Sequence, residues 1–379
     1  MTGGTAAVLG AAQSAFGRFP ARRLEDLTWD AVGAALDLAG IEPAQVEAVF
    51  VGNVFGPSGV AARVVRAAGI GDVPVVRVEA ACASGTLAAH LATQAVRRGE
   101  HAVVLALGVE QMSVRFGGAI VPEHSDPEGS LGLPLPGLYA LQARRYLEQY
   151  GHTVADLAAV AVKNRAQGAK NPLAHRQQEV SLREVLDSRP IAEPLTVLQC
   201  CPISDGAAAA VIGRPRPGAG DVLVDGSGFV GGQAWPGTPD EPWGTACIRR
   251  AGDLAVAEAG WPASDAEVFE VHDAFTIGEL LTVEALGLCE PGAAPALLHA
   301  GEFAAGGRWP VNVGGGLLAR GHALGATGIA QLAEVCAQLT GRAGARQLPA
   351  PRRGLVETMG GGASGLDGNA AGVIMLRAE

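Results

Sequence analysis

The sequence predicts an α/β protein built from two similar halves, and three observations carry that reading. Apolar runs of strand length alternate with helix-length segments through most of the chain. Hydrophobic residues make up 48% and charged residues 17%, the balance of a chain that buries strands on both faces. At 379 residues the chain is too long for one ordinary core, which calls for two domains or one large layered unit.

Strands are expected over 7–10, 48–51, 75–78 and 102–107, with helices over 26–39, 60–68 and 84–98 between them. The rhythm breaks from 114 to about 200, where Pro122, Pro127, Pro134 and Pro136 precede charged helical stretches around 154–169 and 181–188. That composition fits an insertion lying over a sheet better than a sheet layer. A strand over 203–212 closes the first half, and Arg214-Pro215-Arg216-Pro217-Gly218 reads as a linker. The alternation restarts with strands over 222–224, 268–271, 353–357 and 372–376 and helices over 246–258, 276–285 and 326–339. The halves are expected at 1–215, with an inserted loop domain at about 114–200, and at 219–379.

Composition excludes several classes of function. Net charge is −10 with no basic tract, so the cationic footprint that nucleic acid requires is missing. The six cysteines, at 82, 200, 201, 247, 289 and 336, show no C-x-x-C spacing. Neither a zinc or other metal site nor a disulfide framework is expected, and a reducing compartment fits. No run of about 18 apolar residues could span a bilayer. Met1-Thr2-Gly3-Gly4-Thr5 lacks the features of a secretion signal, and Leu376-Arg377-Ala378-Glu379 is no peroxisomal address, so a cytoplasmic protein without membrane contact is expected. Two G-x-G-x-x-G patterns, Gly226-Gly228-Gly231 and Gly360-Gly362-Gly365, lack the following helix that would hold a pyrophosphate, so a dinucleotide-binding reading fails.

The stretch Val78-Glu79-Ala80-Ala81-Cys82-Ala83-Ser84-Gly85-Thr86 delivers one cysteine from an apolar strand onto the start of a small-residue helix. Unpaired N–H groups and the positive end of the helix dipole favour a thiolate there, and Ala83, Ser84 and Gly85 leave room for an acyl group. A buried structural cysteine is the plainer alternative. Distant partners weigh against it.

Two further segments carry histidines: Glu270-Val271-His272-Asp273-Ala274-Phe275 and Gly321-His322-Ala323-Leu324-Gly325-Ala326-Thr327-Gly328. Asn312-Val313-Gly314-Gly315-Gly316 and Met359-Gly360-Gly361-Gly362-Ala363-Ser364-Gly365 add glycine-rich loops. With Phe16-Gly17-Arg18-Phe19 and the stretches 108–113 and 201–208, these motifs resemble the thiolase superfamily over essentially the whole chain. The nearest branch is similar to the sterol-carrier-protein-type and archaeal thiolases, which carry His-Asp-Cys/Ala-Phe where others carry Asn-Glu-Ala-Phe. The resemblance implies two five-stranded halves layered α-β-α-β-α and an acyl-CoA C-acyltransferase that makes or breaks a C–C bond.

The resemblance also implies roles. Cys82 would carry the acyl group, His322 would activate it and hydrogen-bond the second thioester, and His272 would help form an oxyanion pocket for the enolate. Gly361 matches a glycine whose N–H joins that of Cys82 in another oxyanion hole, where a backbone must approach the carbonyl closely. Asn312, Gly315 and Gly316 match a supporting loop. No permanent cofactor is implied; coenzyme A is substrate or product, and Arg144, Arg145, Lys163 and Arg165 are candidates for its phosphates by location. A homodimer or tetramer is implied, and related members often work with a small OB-fold, zinc-ribbon partner protein.

Two departures matter. Other thiolases open the last motif with a second cysteine that moves the proton at the enolate carbon, and Met359 stands there instead. Sterol-carrier-type members can place that cysteine at the position of Ala274, so both locations are empty. A thioether transfers no proton, which leaves His272, His322 or a water. The gap suits an alternative reading, a C-acyltransferase of specialised metabolism that acylates a carbon nucleophile not bound to CoA. A partner-dependent acyl-CoA-binding subunit with weak activity is a third reading, opposed by the intact Cys82, His322 and oxyanion loops. Ala323, in place of the usual proline, only removes a rigid turn.

Overall fold

The structure, a computed structural model, describes residues 4–120, 127–234, 242–361 and 365–379. Pro122, Trp235-Pro236-Gly237 and Gly362, Ala363 and Ser364 of the last glycine motif lie outside the described residues. The chain begins β1 (Ala6–Gln13), α1 (Leu24–Ala39), β2 (Ala48–Gly52), α2 (Val60–Ala67), β3 (Val75–Val78), α3 (Ser84–Arg97) and β4 (Val103–Gln111). Then come α4 (Pro127–Ser130), α5 (Leu135–Tyr150), α6 (Val154–Gly168), α7 (Leu182–Leu186), the hairpin of β5 (Pro190–Ala192) and β6 (Leu195–Thr196), and β7 (Asp205–Gly213). The remainder is β8 (Val222–Gly231), α8 (Thr245–Ala259), β9 (Val268–Glu270), α9 (Thr276–Ala285), α10 (Ala294–His299), α11 (Gly316–Arg320), α12 (Leu324–Leu339), β10 (Arg353–Gly360) and β11 (Ala370–Ala378).

Apart from the hairpin, the strands form one mixed sheet in the order β3-β2-β4-β7-β1-β8-β11-β10-β9. The order β3-β2-β4-β7-β1 recurs in the later strands as Val311-β9-β10-β11-β8, where a single parallel bridge ties Val311 to Phe269. The second set thus has a bridge where a fifth strand was expected. Pro310 has no N–H to give a ladder and Asn312 turns into the left-handed region at φ 58°, so only Val311 stays extended. The two sets meet edge to edge through the antiparallel pairing of Ala6, Ala7 and Val8 with Val224, Leu223 and Val222.

β7 is buried at every position, and its alanines let α1 pack on one face and α12 on the other. The helices α3 and α12 lie side by side and touch strands of both sets, while α1 and α8 cover the outer faces. Glycine permits that central crossing. A Cβ on Gly85 would stand 2.7 Å from the Gly325 carbonyl oxygen, and one on Gly328 would stand 2.6 Å from the Thr86 nitrogen. The first turns of α3 and α12 therefore meet backbone to backbone, which brings together the residues that precede them, Cys82 and His322.

Helix α5 was not expected, because Pro134 and Pro136 look like helix breakers. They stand at the cap and within the first turn, where an absent N–H removes no helical hydrogen bond. Gly226, Gly228 and Gly231 all lie inside β8, a strand rather than a phosphate loop. Asp205, at the start of β7, accepts the N–H groups of Phe19 and Ser113 at 2.7 Å each and the Ser113 hydroxyl at 2.6 Å, so three distant sequence motifs share one corner.

Candidate active site

Cys82 sits in the turn that joins β3 to α3. Ala81 before it adopts φ 48°, a conformation L-residues rarely hold. Ser84 fixes the turn, donating its hydroxyl to the Ala81 carbonyl at 2.6 Å and accepting the Ala80 N–H at 2.9 Å. Cys82 is 8% exposed, and the backbone N–H groups of Gly361 and of Cys82 itself favour its thiolate against burial.

His322 precedes α12, and its Nε2 lies 3.1 Å from Cys82 Sγ. Its Nδ1 lies 2.8 Å from Thr327 Oγ1, and that hydroxyl donates to the Ala323 carbonyl at 3.1 Å. A hydroxyl whose proton is committed elsewhere accepts, so Nδ1 carries the hydrogen and Nε2 is the bare nitrogen facing the thiol. Burial lowers His322 well below its ordinary value and pushes the Cys82 thiol up to about 12. Burial therefore favours a neutral thiol beside a neutral imidazole. Desolvation thus works against the thiolate expected from the helix start, opposing the dipole and the nearby backbone N–H groups.

His272 follows β9, buried to 3% exposure, with its ring 5.2 Å from that of His322 and nearly perpendicular to it. Neither ring nitrogen has a hydrogen-bond partner among the described residues, and burial lowers its pKa to about 3. A neutral imidazole has one N–H to offer a substrate oxygen. Asp273 does not pair with it. The Asp273 carboxylate instead accepts the N–H groups of Leu317 at 2.6 Å and Leu318 at 3.3 Å, at the start of α11, and the Asn164 amide at 2.7 Å. A Cβ on Gly316 would stand 2.7 Å from the Asp273 carboxyl carbon, so this glycine makes room for the cap.

Asn312, Gly315 and Gly316 stand behind the site. Asn312 accepts the Val271 N–H at 2.9 Å and donates to Glu279 at 2.7 Å, which fixes the backbone just before His272. Gly315, at φ 100°, packs against Gly168 of α6. The two histidine-bearing loops are bolted by a fully buried ion pair, Arg320 to Glu270 at 3.0 Å, one residue pair before each histidine turn. Removing one partner of such a pair costs about 3–5 kcal/mol.

Cys82 Sγ and ring nitrogens of His272 and His322 lie within 4.8 Å of one another. Within this triad, Sγ and His322 Nε2 engage each other directly. All three face one cavity, whose wall also includes Tyr139, Cys201 and Ala274. Met359 lies on β10 against a small cavity beside Trp243 whose wall also includes His272 and Tyr139, and its thioether has no proton to transfer.

The phosphate candidates of the insertion are displaced. Lys163 is engaged by Glu279 at 3.0 Å and the Val311 carbonyl at 2.7 Å, Arg165 by the Gln178 carbonyl at 3.0 Å, and Arg144 reaches Glu193 at 4.0 Å. None of these, nor Arg145, lines the cavity. Their helix faces are occupied by packing and local pairs. Arg18, Arg176 and Arg189 line it instead, exposed to solvent. Sequence reasoning also passed over Thr327, Tyr139 and Cys201. Thr327 and Cys201 lay inside quoted motifs, but only the fold shows which neighbours they meet.

A cysteine beside an imidazole nitrogen and a second buried imidazole thus meet on one cavity of an α/β scaffold whose strand order repeats. Residues 6–215 match the thiolase N-terminal domain and residues 237–367 the thiolase C-terminal domain-like family. The chain belongs to the thiolase family. It is 36% identical over 375 residues to acetyl-CoA acetyltransferase of Methanothermobacter thermautotrophicus, covering 94% of this chain and 96% of that one. It is 36% identical over 367 residues to rabbit (Oryctolagus cuniculus) sterol carrier protein 2, covering 91% of this chain and 67% of that one. Benzoylsuccinyl-CoA thiolase subunit BbsB of Thauera aromatica is 33% identical, with 94% of each chain covered. Among solved structures, an Ltp2–ChsH2(DUF35) aldolase superposes with TM-score 0.84 at 27% identity, covering 100% of this chain and 98% of that one. Human mitochondrial 3-ketoacyl-CoA thiolase shares the fold with TM-score 0.73 at 19% identity, covering 99% and 98%.

Proposed function

We propose that this protein is a thiolase-type acyltransferase that makes or breaks a C–C bond through a thioester on Cys82, with acyl-CoA or 3-ketoacyl-CoA as substrate. The observation that carries the reading is the 3.1 Å approach of His322 Nε2 to Cys82 Sγ, with Nδ1 held by Thr327. As the sulfur attacks a carbonyl, its proton passes to Nε2. Charge building on the acyl oxygen is met by the N–H groups of Cys82 and Gly361. His272 offers an N–H, and His322 a second, to the oxygen of the enolate. Coenzyme A serves as leaving group or acceptor, and Arg18, Arg176 and Arg189, which line the cavity, are assigned to its phosphates.

Assembly and location follow the same reading. Among the described strands β3 pairs on one side only, with β2, and Val76 on it is 44% exposed. An open, apolar edge suits pairing with a second copy in a homodimer. A small OB-fold, zinc-ribbon partner is proposed as well, supported by the likeness to the Ltp2–ChsH2(DUF35) aldolase. No described helix is long and apolar enough to cross a membrane, and all six cysteines are unpaired, which suits the cytoplasm.

Intact-protein mass spectrometry after exposure to a panel of acyl-CoAs tests the reading. A mass gain equal to the acyl group, absent in Cys82→Ser, is expected. Undiminished turnover by Cys82→Ser would remove the mechanism.

A further inference from the structure

Cleavage of a C–C bond leaves a carbanion that needs a proton, and neither Met359 nor Ala274 can supply one. The proton-bearing side chains on the cavity wall nearest Cys82 and Ala274 are therefore the candidates; His175, also on that wall, is engaged by Ser204 at 2.8 Å. His322 is committed to Cys82 and Thr327. His272 is placed to face an oxygen. Cys200 donates its S–H to the Thr196 carbonyl at 3.3 Å. Cys201, next along the chain, has no side-chain hydrogen bond among the described residues and lines the cavity with Cys82, His272 and His322.

Its placement is specific. The Cys201 N–H donates to the Ala274 carbonyl at 2.8 Å, and Cys200 bridges Phe275 in antiparallel register. The 200–201 segment thus runs alongside the 274–275 segment, and Cys201 stands beside the very position at which a second cysteine is missing. Resting on the Cys82 reading above, we infer that Cys201 is the proton carrier for the enolate carbon, a thiol delivered from a neighbouring strand segment rather than from either expected motif. Burial also pushes this thiol well above its ordinary value, so it waits in the protonated form an acid requires.

The protons balance. In cleavage, the Cys82 proton moves to His322 Nε2 and the sulfur attacks the 3-keto carbonyl. The Cα–Cβ bond breaks, its electron pair stays on Cα, and Cα takes the Cys201 proton. The enzyme is left with acyl-Cys82, a Cys201 thiolate and a protonated His322. The Cys201 thiolate retakes a proton from water, CoA gives its own proton to water and attacks the acyl group as the thiolate, and the departing Cys82 sulfur recovers its proton from His322. All three groups return to their starting forms, and condensation is the reverse.

A carbanion leaving group needs an acid, whereas a thiolate leaving group does not, and that difference separates the roles. Cys201→Ala is expected to form acyl-Cys82 from acyl-CoA to wild-type occupancy, by intact mass. Cleavage of 3-ketoacyl-CoA and deuteration of acyl-CoA at Cα in D2O are expected to fall more than 100-fold. Placing a cysteine at the empty neighbouring position, in the double variant Cys201→Ala/Ala274→Cys, is expected to restore deuteration, which a merely structural loss would not allow. Cleavage and deuteration within threefold of wild type in Cys201→Ala would overturn the inference, as would simultaneous loss of Cys82 acylation. Loss of deuteration in Tyr139→Phe with Cys201→Ala unaffected would also overturn it, in favour of the phenol. A wild-type protein that never forms acyl-Cys82 would instead sink the underlying Cys82 reading.

Discussion

His322 Nδ1 lies 2.8 Å from the Thr327 hydroxyl, whose own proton goes to the Ala323 carbonyl, one turn back. That relay points the bare Nε2 at Cys82 without any carboxylate in the chain of contacts. Thr327→Val keeps the shape and removes the acceptor, so the ring can flip its tautomer and the thiol loses its base. Acylation of Cys82 is expected to slow about 10- to 100-fold, the range of one buried hydrogen bond, with KM little changed. Thr327→Ser keeps the hydroxyl and is expected to stay near wild type. Equal losses in both variants, measured by single-turnover acylation, would contradict the relay.

The resting protonation of Cys82 makes a second outcome readable. With its thiol held up at about 12 by burial, the thiolate fraction grows tenfold for each pH unit throughout the neutral range. Iodoacetamide labelling of the Cys82 peptide is expected to rise tenfold per unit from pH 7 to pH 9, without a plateau. A plateau near neutrality would show a thiolate–imidazolium pair instead.

Much of this was legible beforehand, for reasons that can be named. The alanine run of β7 and the glycines of α3 and α12 carry their structural meaning in their size, so strands, central helices and the Cys82 and His322 turns could be placed from sequence. Helix α5 could not, because Pro134 and Pro136 read as breakers until their positions at a helix start are known. The phosphate candidates could not be ranked from sequence because charge on a helix does not say which face is buried, and Lys163 is engaged by Glu279. The opposing pull of burial on the Cys82 thiol was not legible, because a dipole is visible in a motif and desolvation is not. Cys201 was passed over because its meaning lies in a 2.8 Å contact with Ala274, a residue 73 positions away that only the fold brings near.

The exposed arginines on the cavity wall predict how substrate binding divides. Arg18→Ala, Arg176→Ala and Arg189→Ala are each expected to raise KM for acyl-CoA by up to about tenfold, with kcat retained, if each contributes roughly one charge-assisted contact to phosphate. The increase should shrink at high salt and vanish with an acyl-pantetheine substrate that lacks the nucleotide. The same rise with acyl-pantetheine would show that these side chains shape the cavity rather than read phosphate.

Glu357 lies on β10 behind His272 and accepts its backbone N–H at 3.0 Å, while its second oxygen has no partner among the described residues. Burial holds its carboxyl up at about 8, against about 4.3 in an unfolded chain. Between those values the folded protein binds the proton and the unfolded one does not, so the stability contributed by the neutral acid is present at low pH and lost as pH rises toward 8. Asp273 and Glu110, both raised to about 7 by burial, act with the same sign. His272, lowered to about 3, opposes them only below about pH 6.5, where the unfolded imidazole takes up a proton. From pH 6.5 to 8 the carboxyls are therefore uncovered, and urea unfolding should show stability falling across that interval. Glu357→Gln keeps an oxygen for the His272 N–H but cannot ionise, and is expected to flatten the fall by roughly 2 kcal/mol, one proton over about one and a half pH units. An unchanged slope in that variant would mean Glu357 is already ionised in the folded protein, and that its partnerless oxygen carries a charge there.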